Sequence, residues 1–376
     1  MAAALVEAMV DPATRRGYIA ELDGLRGIAI LLVMVHRMFP RIGPSSPWPI
    51  EAGWVGVDLF FVISGYLITG ILLDTREDRD YFRNFYARRV LRIFPLFYLL
   101  VGGMFVGFRL VGHTAFAEQS GSPLWYLMQL GNVPESVLGF DPPYWLAPVW
   151  SLAIEEQFYW TFPILVRAAD PRRLARWLVA AAVLALVPRI VTTAMVPERA
   201  RIQYLFTLCR IDTIAAGCLL AVAVRSARFA LLRERLVRPL VAIGAACAVV
   251  LIATHFDRTT TFGRTIGYSI VALGFAALVL LVVLHRARRG TAILRSSLLT
   301  YPGKLCFGLY LLHRPADTVA SAVAERLGID GASLGLLPIK IAVALVFATV
   351  SWRLLEQPFL RLKRRFGSTL QPAPAL

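Results

Sequence analysis

Charge is scarce in this chain of 376 residues: only 17% are Asp, Glu, Lys or Arg, while 57% are hydrophobic and the mean hydropathy is +0.63. A soluble globular chain is nearer a quarter charged and half apolar. A string of soluble domains is thereby excluded, as are a disordered chain and a coiled coil. Cysteine is scarce too. Cys209, Cys218, Cys247 and Cys306 lie far apart in apolar stretches with no C-x-x-C spacing. That excludes a disulfide scaffold and a thiol redox or metal motif, and leaves them as small apolar side chains in helix packing. The five histidines are scattered without ligand spacing, so no metal site is expected. No internal repeat or low-complexity tract stands out.

What the chain does have is one apolar run after another. A membrane-crossing helix needs about 20 mostly apolar residues. Ten stretches meet that need, near 22–39, 55–73, 88–111, 147–167, 174–195, 204–224, 236–254, 264–285, 298–320 and 335–357. The expected fold class is all-α, a polytopic membrane protein with about ten transmembrane helices. The first run carries Asp23 and Arg26 in its start and no small-residue cleavage pattern follows, which argues against a removable signal peptide.

The formal net charge of +16 would suggest nucleic acid in a soluble protein, but here it collects in alternate loops. Arg15 and Arg16 precede the first run. Arg76, Arg79, Arg83, Arg88 and Arg89 follow the second, and Arg167, Arg172, Arg173 and Arg176 the fourth. Further clusters follow the sixth, the eighth and the tenth, the last with Arg361, Lys363, Arg364 and Arg365. The intervening loops are poor in Lys and Arg. The longest, from Val111 to Trp145, has none and carries His113, Glu118, Glu135 and Asp141 instead. By the positive-inside rule both termini are expected to be cytoplasmic. No nucleic-acid partner is implied. One transmembrane domain over 1–366 and a disordered tail over 367–376 are expected, with a short interfacial or re-entrant element at Pro123–Leu130.

A charged group at bilayer depth costs a few kcal/mol even on lenient insertion scales, roughly 3, so each one invites a functional reading. Near the cytoplasmic face lie Asp23 and Arg26, then Arg88, Arg89 and Arg92, then Arg353 and Glu356. Deeper lie His36, Asp58, Glu155 with Glu156, Arg210 with Asp212, and His313. Bland readings stand beside the functional ones. Arg88, Arg89 and Arg92 either anchor a helix end or hold a ligand. Asp23 and Arg26, spaced i, i+3, are either a local ion pair or part of a site. Arg210 and Asp212, at i, i+2, do not face each other, so each needs a partner on another helix. Glu356, beside Gln357-Pro358, either terminates the last run or serves a site. His36, set among Ile30–Val35, is expensive at that depth unless it is bonded or used.

Several stretches in order resemble the integral-membrane acyltransferase-3 family, which includes bacterial O-acetyl and O-acyl transferases. They are Leu22-Asp23-Gly24-Leu25-Arg26-Gly27 ahead of His36, GVDLFFVISG over 56–65, FYARRVLRIFP over 85–95 and WSLAIEEQFY over 150–159. Weaker matches are Arg210-Ile211-Asp212 with Gly217, YLLHRP over 310–315 and WRLLEQPF over 352–359. The resemblance implies ten spans with both ends inside, and transfer of an acyl group from acyl-CoA, acetyl-CoA in the first instance, to a hydroxyl. Many relatives add a further span and a secreted esterase-like domain; with its end at residue 376, this chain is expected to have neither. One departure concerns the first helix. The family usually places ten residues between its Arg and His, whereas Arg26 and His36 have nine between them. At about 100° per residue that rotates His36 by roughly 80–100° from Arg26. Either the helix tightens locally, or the two residues act on different neighbours.

The residues make chemical sense of that activity. An alcohol is a poor nucleophile near neutral pH, so a base is needed, and His36 is the natural choice. Either Glu155 or Asp58 would orient it. Arg26, Arg88, Arg89 and Arg92 suit the phosphates of CoA, because guanidinium pairs bidentately with phosphate oxygens. Asp23, Arg210, Asp212, His313 and Glu356 are substrate-contacting or structural polar groups. The external aromatics Trp125, Tyr126, Tyr144, Trp145 and Trp150 either stack on a sugar or form an interfacial belt. A cell-envelope glycan or glycolipid is therefore the first-choice acceptor. A small metabolite such as a macrolide is the alternative, and so is a transporter or flippase of a lipid-linked substrate.

Overall fold

The computed structural model describes residues 18–39, 47–110, 112 and 121–366, and every regular element among them is helical. The expectations placed on Arg15, Arg16, His113, Glu118 and the 367–376 tail fall outside the described residues. In chain order the principal helices are α1 (Ala20–Met38), α2 (Gly56–Asp74), α3 (Tyr81–Leu110), α4 (Val149–Ala168), α5 (Pro171–Leu184), α6 (Leu186–Met195), α7 (Thr207–Val224), α8 (Ala227–Ala253), α9 (Tyr268–Leu284), α10 (Cys306–Arg326) and α11 (Leu337–Ser351). Shorter helical turns join them. One of these, Pro123–Leu127, lies where a short element was expected, and the Ser122 hydroxyl caps it by accepting from the Leu124 N–H.

The chain is a multi-pass membrane protein, but a count of ten spans is looser than the structure. Among the described residues seven helices are long and apolar enough to cross a membrane: Trp48–Asp74, Tyr81–Leu110, Pro171–Met195, Arg201–Val224, Ala227–Ala253, Gly263–Leu284 and Leu334–Leu362. The other three expected runs also fold as helices, α1, α4 and α10, each of 19 residues or more. They miss the standard because polar residues interrupt them. Those interruptions include His36, Glu155 with Glu156, and His313, so the least apolar helices hold several of the candidate site residues.

Local sequence explains the helix ends and the closest packing. Asp170 accepts from the N–H groups of Arg172 and Arg173, and Pro171 takes the first position of α5. Two compact units emerge, each with its own core. The first comprises residues 1–36, 46–74 and 168–304. Within it α2 and α7 are in close contact. A Cβ at Gly65 would run into the Ile214 carbonyl, and one at Gly217 into the Val62 carbonyl. Small residues permit this approach, the usual way helices pack in lipid, where no hydrophobic force drives them together. Leu59, Val62, Ile63, Ala221, Val279 and Leu280 fill the core around them. The second unit comprises 37–45, 75–167 and 305–376. Ile93, Leu96, Phe97, Val101, Leu146, Val149, Leu152 and Leu311 form a core there, and α10 packs along α11.

Candidate active site

His36 lies near the end of α1 with its side chain only 2% exposed. Its Nδ1 is 3.1 Å from the carbonyl oxygen of Ile50. A carbonyl oxygen can only accept, so Nδ1 carries the proton and Nε2 holds the lone pair of the neutral ring. The Glu51 carboxylate stands 3.8 Å from the same Nδ1. Gly53 lets this turn lie flush against α1, since a Cβ there would come within 2.7 Å of His36 Cβ. The spacing question at Arg26 is resolved in favour of different neighbours. α1 is α-helical throughout, and Arg26 turns to Asp23 at 3.1 Å, whose other oxygen accepts from Tyr18 at 2.6 Å.

Deeper in the same unit, four charged side chains form two buried pairs. Arg210 donates to Asp58, and both side chains are fully buried. Arg189, on α6 and also fully buried, donates to Asp212 at 2.6 Å. Ser269 bridges the second pair, donating to Asp212 at 2.7 Å and accepting from Arg189 at 2.9 Å. The Arg210 guanidinium lies 4.2 Å from the centre of the Tyr268 ring, a cation–π contact on top of the ion pair. Nη1 of each arginine and the Tyr268 hydroxyl have no protein partner among the described residues, so the cluster retains capacity for water or a polar ligand. Beside it, Trp54, Phe256, Asp257, Arg258 and Phe262 line a small cleft, with Arg258 stacked 4.2 Å over Tyr204.

The second unit gathers cations. Arg88, Arg89 and Arg92 lie within two turns of α3. Arg89 donates to Glu156 at 2.9 Å and sits 3.5 Å over the Tyr159 ring. Glu155, half-buried, is within electrostatic reach of Arg89, as Glu356 is of Arg92. Arg88 makes no hydrogen bond or ion pair among the described residues, and its Nε is buried without a partner. Glu356 closes a π-helical turn, Trp352–Glu356, and accepts from Ser351 at 3.1 Å. His313 is buried with Nδ1 2.8 Å from the Tyr310 carbonyl, so it too holds its lone pair on Nε2. The next residue, Arg314, lies 4.3 Å over the exposed Tyr144 ring, whose hydroxyl donates to Asp317 at 2.7 Å. Burial, reinforced by that hydrogen bond, pushes the Tyr144 hydroxyl up to about 12. Asp317 in turn pairs with Lys340 at 2.7 Å.

A family profile described as an acyltransferase domain matches residues 19–353. The chain belongs to this acyltransferase family. Among curated proteins it is 29% identical over 361 residues to the putative peptidoglycan O-acetyltransferase YrhL of Bacillus subtilis, covering 91% of this chain and 55% of that protein. It is 25% identical over 360 residues to the peptidoglycan O-acetyltransferase OatA of Listeria monocytogenes, covering 91% and 56%. With the O-acetyltransferase OatA of Staphylococcus aureus it shares 28% over 372 residues, covering 91% and 57%. The chain thus spans little more than half the length of these relatives. No solved structure matches it.

Within this acyltransferase the structure redistributes several expected roles. Asp58 is committed to Arg210 and Thr213 rather than to His36; the carboxylate beside His36 Nδ1 is Glu51. Sequence reading missed Glu51 because the turn at Trp48–Glu51 returns to α1 only in three dimensions. Arg189 was also missed, although a lone arginine inside the 174–195 run was a visible signal of buried charge. Of the external aromatics, Tyr126 and Trp150 are core residues, and Trp145 donates to Thr318 at 3.0 Å, leaving Tyr144 as the exposed ring capped by arginine.

Proposed function

We propose that the chain is a membrane O-acyltransferase that moves an acyl group, acetyl in the first instance, from acyl-CoA to a hydroxyl of a cell-wall glycan. Its setting is a bacterial cytoplasmic membrane with both termini inside, a reading that the alternation of arginine-rich loops supports. The acceptor class follows the curated relatives, whose names specify peptidoglycan O-acetylation. The observation that carries the mechanism is the His36 Nδ1 bond to the Ile50 carbonyl, which presents Nε2 as the base.

His36 Nε2 takes the proton of the acceptor hydroxyl as its oxygen attacks the thioester carbonyl. The tetrahedral adduct collapses with cleavage of the C–S bond, and the imidazolium returns the proton to the departing thiolate. Glu51 stabilises the imidazolium in between, at 3.8 Å from the protonated Nδ1. Arg88, Arg89 and Arg92 fit the phosphates of CoA: they are clustered, and Arg88 has no carboxylate partner among the described residues.

The test is CoA release from radiolabelled acetyl-CoA by purified protein in detergent. His36→Ala is expected to lower turnover by at least about 100-fold, the lower bound for a general base, with elution and thermal melt unchanged. Wild-type turnover in that variant would remove His36 from the reaction.

A further inference from the structure

The donor site just proposed has three cations from one helix, and the fold brings a fourth to it from the far end of the chain. Lys363 opens the 3₁₀ turn Lys363–Phe366, which packs on α3. Arg83, on the first turns of α3, lies 5.7 Å from the centre of the Phe366 ring and fastens that turn in place. Lys363 stands in the field of Arg92, Arg88 and Arg89. It makes no hydrogen bond or ion pair with any described residue. A protein gains nothing in stability by crowding an unpaired lysine against three arginines, because like charges repel and burial removes the water that would screen them. The arrangement becomes favourable when a multiply charged anion lies among them.

We propose that Lys363 is the fourth arm of a phosphate-binding site shared with Arg88, Arg89 and Arg92, and that the Lys363–Phe366 turn is part of the acyl donor's pocket. The inference rests on the acyl-CoA reading above and deepens it. The family match ends at residue 353, so nothing in the matched stretch accounts for this lysine. The ligand is recognised by its phosphate oxygens. The pyrophosphate and phosphomonoester of CoA supply them from the cytosol, and an anionic phospholipid headgroup would supply them from the bilayer.

A consequence distinguishes this role from simple packing. Burial, and then Arg92, Arg88 and Arg89, push the Lys363 ammonium down to about 7 from 10.5. The other charges around it are the Glu155 and Glu156 carboxylates beside Arg89, Glu356 near Arg92, and Arg83 against Phe366. A bound phosphate favours the protonated amine and raises its pKa again. Between about pH 7 and 10, ligand binding therefore takes up a proton, and affinity strengthens as pH falls through that window. Below about 7 the amine is already charged in the empty site, and this dependence vanishes.

The experiment is titration calorimetry of CoA into purified protein in neutral phosphatidylcholine nanodiscs, at pH 8.5, in buffers of different ionisation enthalpy. Wild type is expected to take up close to one proton, about 0.9, per CoA bound. Lys363→Arg keeps a permanent charge, so it is expected to bind CoA with no proton uptake. Lys363→Met is expected to bind at least about tenfold more weakly at pH 7. Equal affinity in Lys363→Met, or unchanged proton uptake in Lys363→Arg, overturns the lysine's role and leaves the donor reading standing. Failure of wild type to bind CoA overturns the donor reading itself. Loss of CoA binding when the nanodiscs carry phosphatidylglycerol gives the site to a lipid headgroup and overturns the nucleotide as its occupant.

Discussion

The two units treat buried charge in opposite ways. In the first, two arginines and two aspartates are matched one to one: Arg210 with Asp58, and Arg189 with Asp212. In the second, Arg88, Arg89, Arg92 and Lys363 crowd together, with Glu156 bound to Arg89 at 2.9 Å. Matched charge in a membrane interior is neutralised without a ligand and fixes the positions of helices. Surplus charge is costly until something of opposite sign arrives. On the reading proposed above, the difference separates residues that hold the fold from residues that bind the donor, a distinction invisible to a list of intramembrane charges.

The most severe way to break the comparison is to unmatch a pair. Arg210→Ala leaves the Asp58 carboxylate fully buried without its counter-ion, and removal of one partner from such a pair typically costs about 3–5 kcal/mol. The expected result is a large fall in the thermal melt of detergent-solubilised protein. Asp58→Asn/Arg210→Met, which removes both charges, is expected to recover part of that loss. A melt unchanged by Arg210→Ala would show that the pair does not hold α2 to α7.

The next variant crosses into the second unit and strikes the cation that Glu156 binds. Arg89→Ala strands Glu156, whose side chain is 5% exposed, and removes a guanidinium from the face of Tyr159. The expected cost is smaller, about 1–3 kcal/mol, because Glu156 is less completely enclosed than Asp58. A loss as large as that of Arg210→Ala would mean the second cluster is as structural as the first.

Much of this was legible in the sequence, and the illegible part has a physical pattern. Apolar length announced the helices, and the i, i+2 spacing of Arg210 and Asp212 required partners on other helices. Those partners prove to be Asp58 and Arg189. What sequence could not show was which carboxylate meets which base. Asp58, at a similar depth to His36, pairs instead with Arg210, while Glu51 stands 3.8 Å from the imidazole through a turn preceding α2 that no periodicity reveals. Lys363 read as one more basic residue in a terminal loop. Only the fold of the 3₁₀ turn onto α3 sets it among the arginines. Local pattern therefore located the elements, while the site depended on which elements the fold brings together.

The smallest stability effect carries the sharpest test. Arg88 touches no carboxylate among the described residues, so Arg88→Ala removes repulsion from the cluster as well as a side chain. Its melt is expected to stay within about 0.5 kcal/mol of wild type, the range of substitutions that break no buried contact. CoA affinity should nevertheless fall by about tenfold or more, the loss of one charge-assisted contact, with a visibly shallower dependence on salt. Stability and binding thus move independently at Arg88, whereas Arg210→Ala is expected to act on stability. If Arg88→Ala unfolds the protein as readily as Arg89→Ala while CoA still binds, the surplus cations are part of the scaffold and the contrast between the units disappears.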